Sequence, residues 1–194
     1  MYRCIVISMM SLTTLAGCMQ PQMPMGDFKQ PDPAPEMAKL AKFLGTWEGT
    51  AHFNDETADM MKSMAPEGEE MPNDFAGGGT YTWTLDGHFL KGTGWHEMGP
   101  DQKAQYVELW TWDAKEGKYK TWFYSDWGEY GTGTATWCED NCLCVKSTGS
   151  DPSGATMKGE GCMRFTDDKT LDWNWSEKRG PAKMGFYGTS KKTN

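Results

Sequence analysis

Hydrophobic and polar positions change rhythm twice along this chain. From Cys4 to Ala16 no residue is charged, yet this run is shorter than the roughly 20 apolar residues a membrane span needs. From Met19 to Pro35 the text MQPQMPMGDFKQPDPAP, rich in Pro, Gln and Met, offers almost nothing to build a core. Residues 36–44 then bring good helix formers with apolar side chains at 37, 40, 41 and 44, one face of a short helix. Gly45 ends it. From there the chain turns to short Thr-, Trp- and Tyr-rich runs separated by turn residues, the signature of strands.

The pattern predicts strands near 46–53, 79–85, 88–97, 104–113, 118–125, 129–138, 142–148, 155–165, 169–177 and 183–190. Asp86-Gly87 is a two-residue hairpin signal. Lys115-Glu116-Gly117, Asp151-Pro152-Ser153-Gly154, Asp167-Asp168 and Gly180-Pro181 mark further turns. Alternation is clearest at Thr80-Tyr81-Thr82-Trp83-Thr84-Leu85, which puts threonines on one face and Tyr81, Trp83 and Leu85 on the other. Turning the large apolar set inward removes far more area from water, at roughly 25 cal/mol per Å², so these three are the candidate walls of any interior site. Meandering antiparallel strands must join or cover their edges, and closure is the direct solution. The expected fold is therefore all-β: an antiparallel up-and-down barrel of about eight to ten strands with a short N-terminal helix. One stretch interrupts it. Residues 54–78, NDETADMMKSMAPEGEEMPNDFAGG, form an acidic, Met-rich insertion expected to be a long loop, either a lid or a solvated excursion.

The net charge of −8 argues against nucleic acid, whose phosphates demand a basic face. At the N-terminus, Arg3, the uncharged run after it and the tetrad Leu15-Ala16-Gly17-Cys18 have the layout of an export signal. The tetrad resembles the bacterial lipobox, which implies cleavage before Cys18 and a diacylglyceryl thioether on its sulfur. On that reading residues 1–17 are a lipoprotein signal peptide and residues 18–35 a lipidated cysteine with its tether. That tether could reach at most roughly 50 Å in the polyproline conformation, and residues 36–194 form the barrel domain. Two acyl chains suffice for stable membrane attachment, so the expected location is a membrane of the cell envelope, on its periplasmic or outer-surface side.

Lys39-Leu40-Ala41-Lys42-Phe43-Leu44-Gly45-Thr46-Trp47-Glu48-Gly49-Thr50 resembles the opening of lipocalin-like (calycin) barrels, in which a short helix leads into Gly-x-Trp on the first strand. Together with Tyr81-Thr82-Trp83-Thr84-Leu85-Asp86-Gly87-His88-Phe89-Leu90 and Asp113-Ala114-Lys115-Glu116-Gly117-Lys118-Tyr119, it is similar to a family of bacterial secreted proteins and lipoproteins whose domain carries no assigned activity. The likeness spans about residues 36–190 and implies a lipocalin-like barrel. In such barrels the first-strand Trp plugs the closed end, often under an Arg, which implies Trp47 as the plug and Arg164 as its partner. Nitrobindins, a related barrel family, hold haem through a His late in the chain. Here the histidines are His52, His88 and His96, all in the first half, so no haem and no other cofactor is expected.

Besides Cys18, the chain after the expected cleavage holds Cys138-x3-Cys142-x-Cys144 and Cys162. An even set outside the cytoplasm most often forms disulfides. The turns fold the strand of Cys142 and Cys144 against that of Cys162, so one bond should join Cys162 to Cys142 or Cys144. The other should join Cys138 to whichever is left. A Cys4 zinc site has the right count but lacks the usual paired C-x2-C spacing, and no metal is expected.

No G-x-S-x-G, H-E-x-x-H, P-loop or kinase set occurs. Gly92-Thr93-Gly94 and Gly131-Thr132-Gly133-Thr134 fall inside strand pattern and lack the following helix that phosphate binding needs. His96-Glu97 and Asp172 with Asn174 could serve an acid–base role but more often are solvated strand faces. No enzyme is expected.

Ten Trp, seven Tyr and eight Phe are too many for a small barrel to pack centrally. The leading expectation is thus a tethered barrel binding a small apolar or amphipathic molecule inside. The alternatives are a packed envelope interaction or structural lipoprotein, and a barrel enzyme acting on a lipid-like substrate. A pocket lined by aromatics alone points to the first, no pocket to the second, and a pocket with a buried His or carboxylate to the third.

Cys18→Ser should abolish lipidation and leave an uncleaved precursor, read by metabolic labelling with a fatty acid. Normal cleavage of that mutant, with a wild type already soluble, would contradict the lipoprotein assignment.

Overall fold

A computed structural model describes residues 29–65, 72–97 and 103–194. The expected signal peptide, Cys18 and most of the expected tether lie outside the described residues. All ten expected strands are present: β1 (Gly45–Phe53), β2 (Asp74–Thr84), β3 (Phe89–Glu97), β4 (Lys103–Asp113), β5 (Lys118–Ser125), β6 (Tyr130–Glu139), β7 (Cys142–Ser150), β8 (Thr156–Asp167), β9 (Thr170–Arg179) and β10 (Ala182–Lys192). Each pairs antiparallel with its neighbours in sequence, and β1 also pairs with β10, from Trp47↔Lys192 to Phe53↔Phe186, closing the barrel. Closure leaves no free strand edge.

Because side chains alternate along a strand, one buried residue fixes the direction of all the others. Trp47, Leu90, Trp110, Tyr119, Ala135, Leu143, Phe165 and Leu171 are buried and belong to one core at one end of the barrel. That end is plugged by a 3-10 helix, Pro35–Phe43. The expected pattern was α-helical, with apolar residues at 37, 40, 41 and 44. The residues that enter the core are Met37, Leu40 and Phe43, three apart, which three residues per turn align on one face. The Trp47 indole donates to the Phe43 carbonyl at 2.7 Å, and the Tyr119 hydroxyl donates to the Glu36 carbonyl at 2.7 Å. Helix and barrel wall are thereby joined at both ends of the helix. Gly45 leaves the helix with φ +110, where a side chain would be strained.

Two expected side-chain placements are corrected. Arg164 does not cover Trp47. It stands on the outward phase of β8, because Phe165 takes the inward one and packs on Trp47 at 6.0 Å between ring centroids. The cation over Trp47 is Lys192, 5.1 Å from the ring centre, supplied by the paired last strand. Leu85 does not face inward: β2 stops at Thr84, Leu85 adopts φ +50, and its residue is 65% exposed. The turn after β2 therefore spans four residues, 85–88, rather than two.

The insertion is not one long loop. Asn54 caps a helix, α1 (Asp55–Met64), its side chain accepting from the Thr57 amide, and β2 begins at Asp74. The Thr57 hydroxyl accepts from Gly185 N at 2.7 Å, which fixes α1 to β10 at the end of the barrel opposite the plug.

Leu40, fully buried in the plug, should lose about 2–5 kcal/mol of stability on replacement by Ala. Denaturant unfolding checks this, and a loss under about 1 kcal/mol would show the helix to be dispensable to the core.

Candidate functional site

The inward phase defines a lumen above the plug. Tyr81 and Trp83 face it as the alternation requires, but they sit low, packed against the plug, with Tyr81 5.7 Å from Phe43. Above them β4 presents Tyr106 and Glu108, on the same phase as buried Trp110. The Tyr81 hydroxyl donates to Glu108 Oε1 at 2.5 Å. The Trp110 indole N–H lies close enough to favour the ionised carboxylate without forming a full hydrogen bond. Enclosure by the barrel still dominates and raises the Glu108 pKa above its ordinary value. The same enclosure, reinforced by the charge of Glu108, pushes the Tyr81 and Tyr106 hydroxyls upward, so both remain protonated donors.

Glycine makes these rings into wall. A Cβ at Gly94 would collide with the Tyr106 ring, and one at Gly159 with the Trp175 indole. The aromatics therefore lie flat along neighbouring strands instead of projecting across the barrel, a pairing known to support glycine in sheets. On β5 to β7 several inward positions above the plug are small: Thr121 on β5, Gly131 and Gly133 on β6, Ser147 and Gly149 on β7. Tyr81, Tyr106, Glu108, Phe123, Ser147 and Trp175 all point inward and yet are only half-buried. Some inward-facing surface therefore stays accessible above the plug.

Towards the far end the lining becomes more aromatic. Phe75 meets Phe53 at 5.3 Å and Phe186 at 6.2 Å, and His96 lies 5.8 Å from Trp127 and 6.4 Å from Tyr106. Burial lowers the His96 pKa, against the opposing charges of Glu129 and Asp126. Arg179 at the end of β9 bonds Glu177 at 3.0 Å and Glu129 at 2.7 Å. Glu129 precedes β6, so this ion pair joins the start of β6 to the end of β9, across β7 and β8, at the rim.

Sequence reasoning did not single out Glu108, though a signal was present. In Ala104, Tyr106, Glu108, Trp110 and Trp112, every second residue of β4, it is the only charged member. His96 shares the inward phase of Leu90 and is a candidate the sequence did raise; its neighbour Glu97 takes the other phase. Asp172 and Asn174 point outward, where Asp172 accepts from the Thr189 hydroxyl at 2.7 Å. The four cysteines also meet on the outer wall. Cys138 and Cys144 form a disulfide, one of the pairings left open above, whereas the second expected bond is not formed and Cys142 and Cys162 are thiols.

Fold and lumen together define a lipocalin-like barrel: ten antiparallel strands in up-and-down order, one end closed by helix and Trp, with a polar group held among aromatic walls. No family model matches the chain and no curated protein is similar to it. Among solved structures, Rv2717c from M. tuberculosis is similar over 84% of this chain and 100% of its own, with TM-score 0.57 and 14% identity. The S-type phycobiliprotein lyase CPES from Guillardia theta is similar over 84% and 99%, with TM-score 0.52 and 11% identity. Both likenesses concern the fold.

The raised pKa of Glu108 sets a sign for stability. Between the ordinary carboxylate value and the raised one, the folded chain holds a proton that the unfolded chain has lost, so stability falls as pH rises through that window. Glu108→Gln should remove this component. Comparing unfolding midpoints of wild type and variant across the acid-to-neutral range checks it, and parallel profiles would contradict the enclosure of Glu108 by the barrel.

Proposed function

We propose that the chain binds a small amphipathic molecule in the barrel lumen, with its apolar body between the aromatic walls and a hydrogen-bond donor at Glu108. The observation that carries this reading is the Tyr81–Glu108 pair, enclosed in the barrel beside half-buried inward side chains and a wall of Gly, Ser and Thr. Ligand pockets are mostly apolar with a few placed polar groups, and a solidly packed barrel would leave those inward rings without exposed surface. The lipobox-like tetrad supports export and membrane anchoring through Cys18, so that the barrel works as a tethered carrier in the cell envelope.

Glu108 also supports a second reading. An enclosed carboxyl with a raised pKa is the kind of group that serves in proton transfer, and on that reading the barrel is an enzyme for a lipid-like substrate. An enclosed carboxyl is the feature expected of such an enzyme, yet binding is the better account, because Glu108 is already engaged by the Tyr81 hydroxyl, whose raised pKa keeps it a protonated donor.

Titration with a fluorescent fatty-acid analogue should show saturable binding to the wild type. Ser147→Leu, which fills the small-residue wall, should weaken it by at least about tenfold, equivalent to about 1.4 kcal/mol. Trp83→Ala, low in the plug, should act less. Absence of saturable binding in all three, with no small molecule in native mass spectra of protein from its own host, would remove the carrier function.

A further inference from the structure

The outer wall carries a second site that owes nothing to the lumen. Leu143 and Val145 face the core, so Cys142 and Cys144 between and beside them face out, and Cys162 pairs directly with Cys144 across β7 and β8. Cys138 reaches them because the β6–β7 register shifts between Trp137 and Glu139, a bulge that brings Cys138 and Glu139 together opposite Cys142. All four Sγ atoms lie within 4.8 Å of one another, on the floor of an open depression of about 590 Å³. A zinc ion with bonds near 2.3 Å needs four sulfurs standing about 3.8 Å apart. The strands thus gather four sulfurs within reach of a single ion, which the Cys-x3-Cys-x-Cys spacing had counted against.

Four thiolates around a divalent ion carry a net charge of about −2, from four Cys ligands, and a cation stands ready. Arg164 pairs in register with Cys142 and is held in place by Glu139 through bonds of 2.6 and 3.1 Å and by Asn141 at 3.3 Å. The depression is open, which gives an ion a route to the sulfurs.

We infer that, when the Cys138–Cys144 bond is reduced, Cys138, Cys142, Cys144 and Cys162 bind one zinc ion as a tetrahedral thiolate site on the barrel's outer wall. Reduction by a trialkylphosphine adds two electrons to the disulfide and yields the phosphine oxide, with water supplying the oxygen and the two thiol protons. Metal binding then displaces the protons of the four thiols to solvent. The disulfide and the metal site are exclusive states of the same sulfurs.

The purified chain, reduced in this way and desalted under inert gas, is titrated with Co2+ and then Zn2+. The expected result is one Co2+ per chain, with sulfur-to-metal charge-transfer absorption and the intense visible bands of tetrahedral cobalt, both lost on adding one equivalent of Zn2+. Arg164→Gln should weaken zinc binding by about tenfold, as loss of an outer partner does. Cys138→Ser, an exposed position whose replacement leaves the core intact, should weaken it by more. If the reduced chain takes up neither ion, or binds cobalt without thiolate bands, or binds equally well as Cys138→Ser, the site is not a metal site. The cluster then serves only as a disulfide pair, Cys138–Cys144 with Cys142–Cys162.

Discussion

The pairing of β1 with β10 is the constraint from which the rest of the molecule follows. Once the sheet is a closed ring, every residue of every strand faces either a lumen or the outside, and no side chain can escape through an edge. Large rings must then share a limited interior. They do so by lying on glycines of adjacent strands, as Tyr106 does at Gly94 and Trp175 at Gly159. A sheet with an open edge could have flattened and packed its faces against other elements. A closed one has to divide its interior, and here the 3-10 helix takes one end and leaves the other lined.

This division explains the electrostatics of the interior. At the plug the polar tips of Trp47 and Tyr119 are satisfied by helix carbonyls, and of the buried indoles there only that of Trp110 lacks a full partner among the described residues. One layer higher no backbone carbonyl is available, since the strands spend theirs on each other, and the polar tip of Tyr81 must find a side chain. Glu108 is that acceptor. The lumen thus acquires a carboxyl whose environment penalises its charge, and its chemistry follows from the height at which the helix stops.

The strand plan was legible in the sequence because Thr/aromatic alternation and turn residues repeat for the whole length of the domain. What failed did so for local reasons. Leu85 continues the alternation of Tyr81 and Trp83 by letter, but the chain has already turned, and periodicity carries no information beyond the last paired residue. Arg164 was assigned by resemblance, although parity with Phe165 places it outside. Helix α1 was hidden in an acidic stretch whose Asn54 cap, Asp55 and Glu56 in the first turn and Lys62 in the last are ordinary helix signals. The cysteine cluster was half legible. Spacing along the chain gave the strand pairing, but the bulge that brings Cys138 over the other three has no mark in the sequence.

The ring also closes late. Trp47 cannot meet Lys192 until nearly the entire domain has been synthesised, and contacts of such long sequence separation are slow to form. Until β10 docks, the nascent barrel is a nine-stranded curved sheet with two raw edges, β1 and β9, each able to recruit a strand from a neighbouring chain. The final eleven-residue strand, Ala182–Lys192, therefore works as a clasp against aggregation. A chain cut short just before it would keep nearly all its inward-facing side chains and still lose its solubility.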